Sequence, residues 1–121
     1  MPGDRNAGGA RLAALSSGRL IGLVLSDAGY DVIGPAVTNA NAVDLIASDA
    51  PDAAFLDVRL GSVTSFPIAE LLMSLGIPFA FLTGEDRGQL PLHLRDALFL
   101  PKPIGFDDLL TAADTLTRPH G

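Results

Sequence analysis

Two uninterrupted apolar runs, AAFLDV at residues 53–58 and IPFAFLT at 77–83, constrain this chain more than any other feature. Pro51-Asp52 precedes the first and Gly61 follows it, while Gly76 and Gly84 bracket the second. A strand with one face in water alternates apolar and polar residues. A run that stays apolar throughout is covered on both faces, as in the parallel sheet of an α/β domain. Each run carries one polar side chain towards its carboxyl end, Asp57 in the first and Thr83 in the second.

The intervening segments read as helices and shorter strands. RLIGLVLSDA at 19–28 predicts a helix, shortened by Gly18 and Gly22 and stopped at Gly29. DVIGPAVT at 31–38 predicts a strand ending on the bend Gly34-Pro35, and NANAVDLIASDA a helix with Asn39 as N-cap, closed by Pro51. PIAELLMSLG at 67–76 has Pro at a helix start and Gly at its end. ALFLPKP supplies a short last strand. FDDLLTAADTLT at 106–117 predicts the closing amphipathic helix, with Asp107 and Asp108 in the first turn, where the helix dipole favours negative charge. GEDRGQLPLHLRDA, interrupted by Gly88 and Pro91, predicts a fourth helix reduced to a turn, with His93 as an exposed loop histidine.

RLAAL at 11–15 is open to two readings, a first strand or the beginning of one long helix interrupted at Gly18 and Gly22. The strand is retained, because losing it would expose the edges of both neighbouring strands. The fold class is then α/β: a single-domain, doubly wound, five-stranded parallel sheet, whose ligands bind outside the carboxyl ends of the strands. Asp57, Thr83 and Lys102 all fall at such ends. A carboxylate, a hydroxyl and an ammonium meeting in one crevice can accept a phosphoryl group, bind its oxygens and neutralise them.

The 121 residues, 48% apolar, suffice for one domain, placed at 10–117 with disordered ends at 1–9 and 118–121. It is either a stand-alone domain or a piece of a longer protein. A net charge of -6 with only 8 Lys and Arg argues against a nucleic-acid surface. The absence of Cys and the presence of just 2 His exclude a disulfide framework and a zinc site. No signal peptide or membrane-length apolar stretch is visible, so a cytoplasmic location away from membranes is expected.

In order and spacing, Asp57 in FLDVRLG, Thr83 in FAFLTG and Lys102 in LPKPI resemble the phosphoacceptor Asp, switch Thr and Lys of response-regulator receiver domains. The resemblance covers about residues 11–116, with 26 residues from Asp57 to Thr83 and 19 from Thr83 to Lys102. GPAVT, LDVRLG and IPFAFLTG are most similar to receivers of the alphaproteobacterial stress-response type. The resemblance implies a CheY-like sheet of order 2-1-3-4-5 and a cis peptide at Lys102-Pro103. It also makes Phe99 the switch aromatic and a histidine kinase or phosphotransfer protein the phosphodonor. A downstream protein partner, a homodimer by analogy, and a signalling rather than enzymatic role follow from it too.

The chain departs from the family at the first strand. Receivers place two acids there, which with the phosphoacceptor Asp hold Mg²⁺. Here the positions fall on Ser16 and Ser17. The remaining Mg²⁺ ligands implied are Asp57 and the backbone carbonyl of Arg59, so weak metal binding and a resting Asp57–Lys102 pair are expected. Two functions stay open: a degenerate receiver phosphorylated on Asp57 with impaired Mg²⁺ dependence, and a pseudo-receiver that binds partners without phosphorylation. A nucleotide- or flavin-binding domain of the same architecture would need a Gly-rich phosphate loop, for which SSG at 16–18 is the one candidate.

Overall fold

A computed structural model describes residues 10–16, 20–60, 62–84 and 90–118. Of the ends expected to be disordered, 1–9 and 118–121, all but Arg118 lie outside the described residues, as does Ser17. In chain order the elements are β1 (Arg11–Leu15), α1 (Leu20–Asp27), β2 (Asp31–Ile33), α2 (Asn39–Asp49), β3 (Ala53–Asp57), β4 (Arg59–Leu60) and β5 (Val63–Thr64). They continue with α3 (Phe66–Leu75), β6 (Phe79–Thr83), a 3₁₀ turn (Leu92–Leu94), β7 (Leu98–Pro101) and α4 (Phe106–Thr117).

Five strands form one parallel sheet in the order β2-β1-β3-β6-β7. This is the CheY-like doubly wound arrangement. RLAAL is a strand: Leu12 to Leu15 pair with Ala53 to Leu56, placing β1 beside β3. Every residue of β3 and β6 is buried, as their unbroken apolar runs require.

Side chains leave a strand alternately to its two faces, so the same strands feed two cores. Ala13, Leu15, Ala54, Leu56, Phe79 and Phe81 pack under α2 and α3, against Ala42, Ile46, Ile68, Ala69 and Leu72. Leu12, Ala53, Phe55, Ala80 and Leu82 face α1 and α4, against Leu25, Leu109, Ala112 and Ala113. Phe81 is fully buried and meets Phe79 and Phe66 edge-on, at centroid separations of 5.5 and 6.1 Å.

The predicted helix over 106–117 has those bounds in the structure, and α1 is the short helix expected, 8 residues long. Other boundaries move. β2 stops at Ile33 instead of running to 38, because Gly34 turns at φ +109°, and an added Cβ there would lie 2.9 Å from the Ala14 carbonyl oxygen. The N-cap of α2 is Thr38, not Asn39: its hydroxyl accepts from the Asn41 amide at 3.1 Å. Asn39 instead donates its side-chain amide to the Thr64 carbonyl at 3.1 Å. Thr38→Ala should therefore cost about 1 kcal/mol, read as a shifted urea midpoint with an unchanged slope.

Among the described residues between β6 and β7, the 3₁₀ turn, anchored by buried Leu90 and Leu94, stands in place of a fourth long helix. His93 is exposed, as expected, and lies 3.0 Å from Glu70 of α3. Both Gly34-Pro35 and Lys102-Pro103 are cis. No helix among the described residues is long and apolar enough to cross a membrane.

Candidate functional site

The sheet register assembles the site. Leu15 pairs with Leu56, so the next residues along, Ser16 and Asp57, fall side by side at the carboxyl ends of β1 and β3. Asp57 pairs with Leu82 and Thr83 with Pro101, which brings the ends of β6 and β7 alongside. The Val58 amide donates to the Leu82 carbonyl at 3.2 Å, and the Lys102 amide to the Thr83 carbonyl at 2.8 Å. Asp57, Thr83 and Lys102, separated in sequence, thus share one edge of the sheet, where a doubly wound fold binds ligands.

Asp57 is 3% exposed, an arrangement that a carboxylate tolerates only with partners. The Ser16 hydroxyl donates to its Oδ2 at 2.9 Å. The Lys102 ammonium lies 3.0 Å from its Oδ1. Oδ2 thus accepts a hydrogen bond from the end of one strand, and Oδ1 faces a cation from the end of another as an ion pair. Lys102 is half exposed at its own end, so the pair joins a buried anion to a cation that reaches in from solvent.

Above these groups opens a cavity of about 170 Å³ lined by Val58, Arg59, Leu82, Thr83, Gly84 and Lys102. That is several times the ~30 Å³ share of one water, enough for a phosphoryl group with solvent around it. Thr83 is buried at its edge, 4% exposed. Phe99 is half-buried on β7 opposite Phe81 and packs against the core under α2 and α3; it is not among the residues lining the cavity.

Ser65 was not visible as a site residue in the sequence. It precedes α3 and is fully buried, yet its hydroxyl makes no capping bond to the helix. It donates instead to the carbonyl oxygen of Asp57 at 2.6 Å, while its amide donates to the Val58 carbonyl at 2.8 Å. These two bonds close the segment after β3 onto itself. Inside it lies the small antiparallel hairpin of β4 and β5, with Arg59 opposite Thr64 and Leu60 opposite Val63. The sequence Ser-Phe-Pro signals a turn into a helix but not which carbonyl the hydroxyl will reach. Ser65→Ala should cost about 1 to 2 kcal/mol by leaving a buried carbonyl short of a donor, measured by chemical denaturation.

A Mg²⁺ ion demands near-octahedral oxygen ligands and is usually held by one or two carboxylates. Among the described residues no group of three or more His, Cys, Asp or Glu is placed to hold a metal. Asp57 is the one carboxylate that these contacts place in the crevice, and its oxygens already face a hydroxyl and an ammonium. Ser16 offers a neutral oxygen whose hydrogen is committed to Asp57, a poor substitute for an acid. The described donor set does not fit a receiver-type Mg²⁺ site.

The sequence matches no family model. Among curated proteins, it is 36% identical over 99 residues to the response regulator MprA of Mycolicibacterium vanbaalenii, covering 78% of this chain and 42% of that protein. It is 33% identical over 110 residues to the positive alginate biosynthesis regulatory protein of Pseudomonas aeruginosa, covering 88% of this chain and 44% of that protein. The chain thus spans less than half the length of these relatives. Among solved structures, the non-phosphorylated HemR receiver domain from Leptospira biflexa superposes with a TM-score of 0.75 at 28% identity, covering 93% of this chain and 100% of that one.

Proposed function

This chain belongs to the CheY-like receiver family of response regulators, and from that premise we propose that Asp57 accepts a phosphoryl group from a histidine kinase or phosphotransfer protein. The observation that carries the reading is the convergence of Asp57, Thr83 and Lys102 on one crevice at the carboxyl edge of the sheet. An Asp57 carboxylate oxygen forms a bond to phosphorus as the donor's N–P bond breaks. The electron pair of that bond leaves with the donor's imidazole nitrogen. Lys102 neutralises the charge gathered on the phosphoryl oxygens, and the Thr83 hydroxyl is placed to hydrogen-bond one of them.

In this reading Mg²⁺ binds weakly, because Ser16 and Ser17 stand where a receiver has acids. Phe99, on the strand that ends at Lys102, would carry the change in the crevice towards the surface of β7 and α4, where a downstream protein or a second copy would dock. The cytoplasm, where histidine kinases present their phosphoryl group, is the compartment this chemistry needs. A second reading, a phosphorylation-independent interaction module, is favoured by the resting site, in which a Ser16 hydrogen bond and the Lys102 ion pair already occupy the two carboxylate oxygens of Asp57.

The two readings separate on intact mass after incubation with acetyl phosphate. A receiver gains one phosphoryl group, and the Asp57→Asn variant gains none. If the native chain gains none under conditions that label an ordinary receiver, the interaction-module reading stands in its place.

A further inference from the structure

We propose that the crevice binds its phosphoryl group without a metal, and that the Arg59 side chain, together with Lys102, supplies the positive charge that Mg²⁺ supplies elsewhere. The proposal rests on the phosphoacceptor reading of Asp57 and adds to it the cation that completes the site. Arg59 lies two residues past Asp57 on the first strand of the hairpin, and it lines the same cavity as Thr83, Gly84 and Lys102. Among the described residues, Arg59 and Lys102 are the charged side chains lining that cavity, and Lys102 is already paired with Asp57, so Arg59 brings a second cation to the acceptor's crevice.

Charge balance supports the same conclusion. The family's two extra carboxylates and its one divalent cation cancel. Replacing both acids with Ser16 and Ser17 removes as much negative charge as loss of the metal removes positive. A metal-free crevice holding Asp57 and Lys102 therefore carries the same formal charge as a metal-loaded one of the family type, without the crowded carboxylates whose repulsion a metal would relieve. Arg59 adds a further cation in a form suited to phosphoryl oxygens: its planar guanidinium offers several donors at fixed spacing and can bind two oxygens at once.

The hairpin gives this role a structural basis. Arg59 is paired with Thr64, and the turn back to Ser65 is locked by the Ser65 bonds to Asp57 and Val58. The backbone that carries the guanidinium is thus tied to the residue that carries the acceptor. Lys102 comes from a different strand end, fixed to Thr83 by its own amide. An oxyanion on Asp57 would then have two cations within the same cavity, on main chains that are anchored independently.

The probe is fluoroberyllate, a mimic of an aspartyl-bound phosphoryl group, followed by ¹⁹F NMR in the full chain with excess EDTA and, separately, with Mg²⁺. The native chain should bind in EDTA, with affinity within about threefold of that in Mg²⁺. Arg59→Ala should lose at least tenfold in EDTA, and Arg59→Lys, which keeps the charge but not the fork, should fall between them. Binding by the native chain only with Mg²⁺ overturns the inference while the acceptor reading stands. So does Arg59→Ala binding as the native chain does in EDTA. No binding in either condition removes the acceptor reading along with the inference.

Discussion

Lys102→Ala should lower the stability of this domain by about 2 kcal/mol, a fall in melting temperature on the order of 10 °C. The Asp57 carboxylate is nearly inaccessible to water, and the Lys102 ammonium is the cation 3.0 Å from its Oδ1. Removing one member of a buried pair leaves the other charge desolvated, which costs about 3–5 kcal/mol when both groups are interior. Lys102 is half exposed, so water entering the space it vacates offsets part of that loss. Asp57→Asn in the Lys102→Ala background should recover at least half of the cost, because the amide that replaces the carboxylate carries no charge to strand. A double-mutant cycle by urea denaturation measures the coupling, expected at about 1–2 kcal/mol. Additive effects would mean that the pair contributes nothing and that the crevice is solvated more fully than its burial indicates.

The second large effect is a gain. Replacing Ser16 and Ser17 together by Asp should raise Mg²⁺ affinity by tenfold or more, since it returns anionic oxygens to the two sequence positions where receivers carry acids. The register puts Ser16 within hydrogen-bonding distance of Asp57 Oδ2, so a carboxylate at residue 16 would face the acceptor directly. Without metal the variant should melt below the native chain, because carboxylates crowded into one site repel. Adding Mg²⁺ should reverse the order, as a ligand bound only by the folded state stabilises it in proportion to its occupancy. Calorimetric titration together with melting curves in EDTA and in Mg²⁺ checks both halves. A variant whose melting temperature does not respond to Mg²⁺ would show that the serines are not what keeps the metal out.

Much of this site was legible in the sequence because the fold imposes strong local signals. The apolar runs at 53–58 and 77–83 could only be doubly covered strands, and the polar residue closing each had to face the ligand edge. Lys102 was placed by the short strand before it and by its spacing from Thr83. What the sequence could not show depends on register and on choices between equivalent groups. Thr38 and Asn39 are both good capping residues, and a shift of one position decides between them. The hairpin at residues 59–64 consists of two-residue strands, too short for any periodicity. β2 is cut short because the backbone at Gly34 comes close to Ala14, a contact with a strand 20 residues away. Ser16 was assigned to an acid's position, but its hydrogen bond to Asp57 emerges only once Leu15 is paired with Leu56.

In the proposed reaction Asp57 itself, and not one of the hydroxyls around it, carries the phosphoryl group. Ser16 is bonded to the Asp57 carboxylate, Thr83 lines the cavity and Ser65 is bonded to the Asp57 backbone, which makes that a real distinction. Peptide mapping by mass spectrometry after acetyl phosphate treatment, with and without hydroxylamine, separates them, because an acyl phosphate on a carboxylate is cleaved by hydroxylamine and a phosphate ester on a hydroxyl is not. The expected result is a single phosphoryl group on the peptide containing Asp57, removed by hydroxylamine and absent from Asp57→Asn. A hydroxylamine-resistant phosphate, or one that persists in Asp57→Asn, would contradict it.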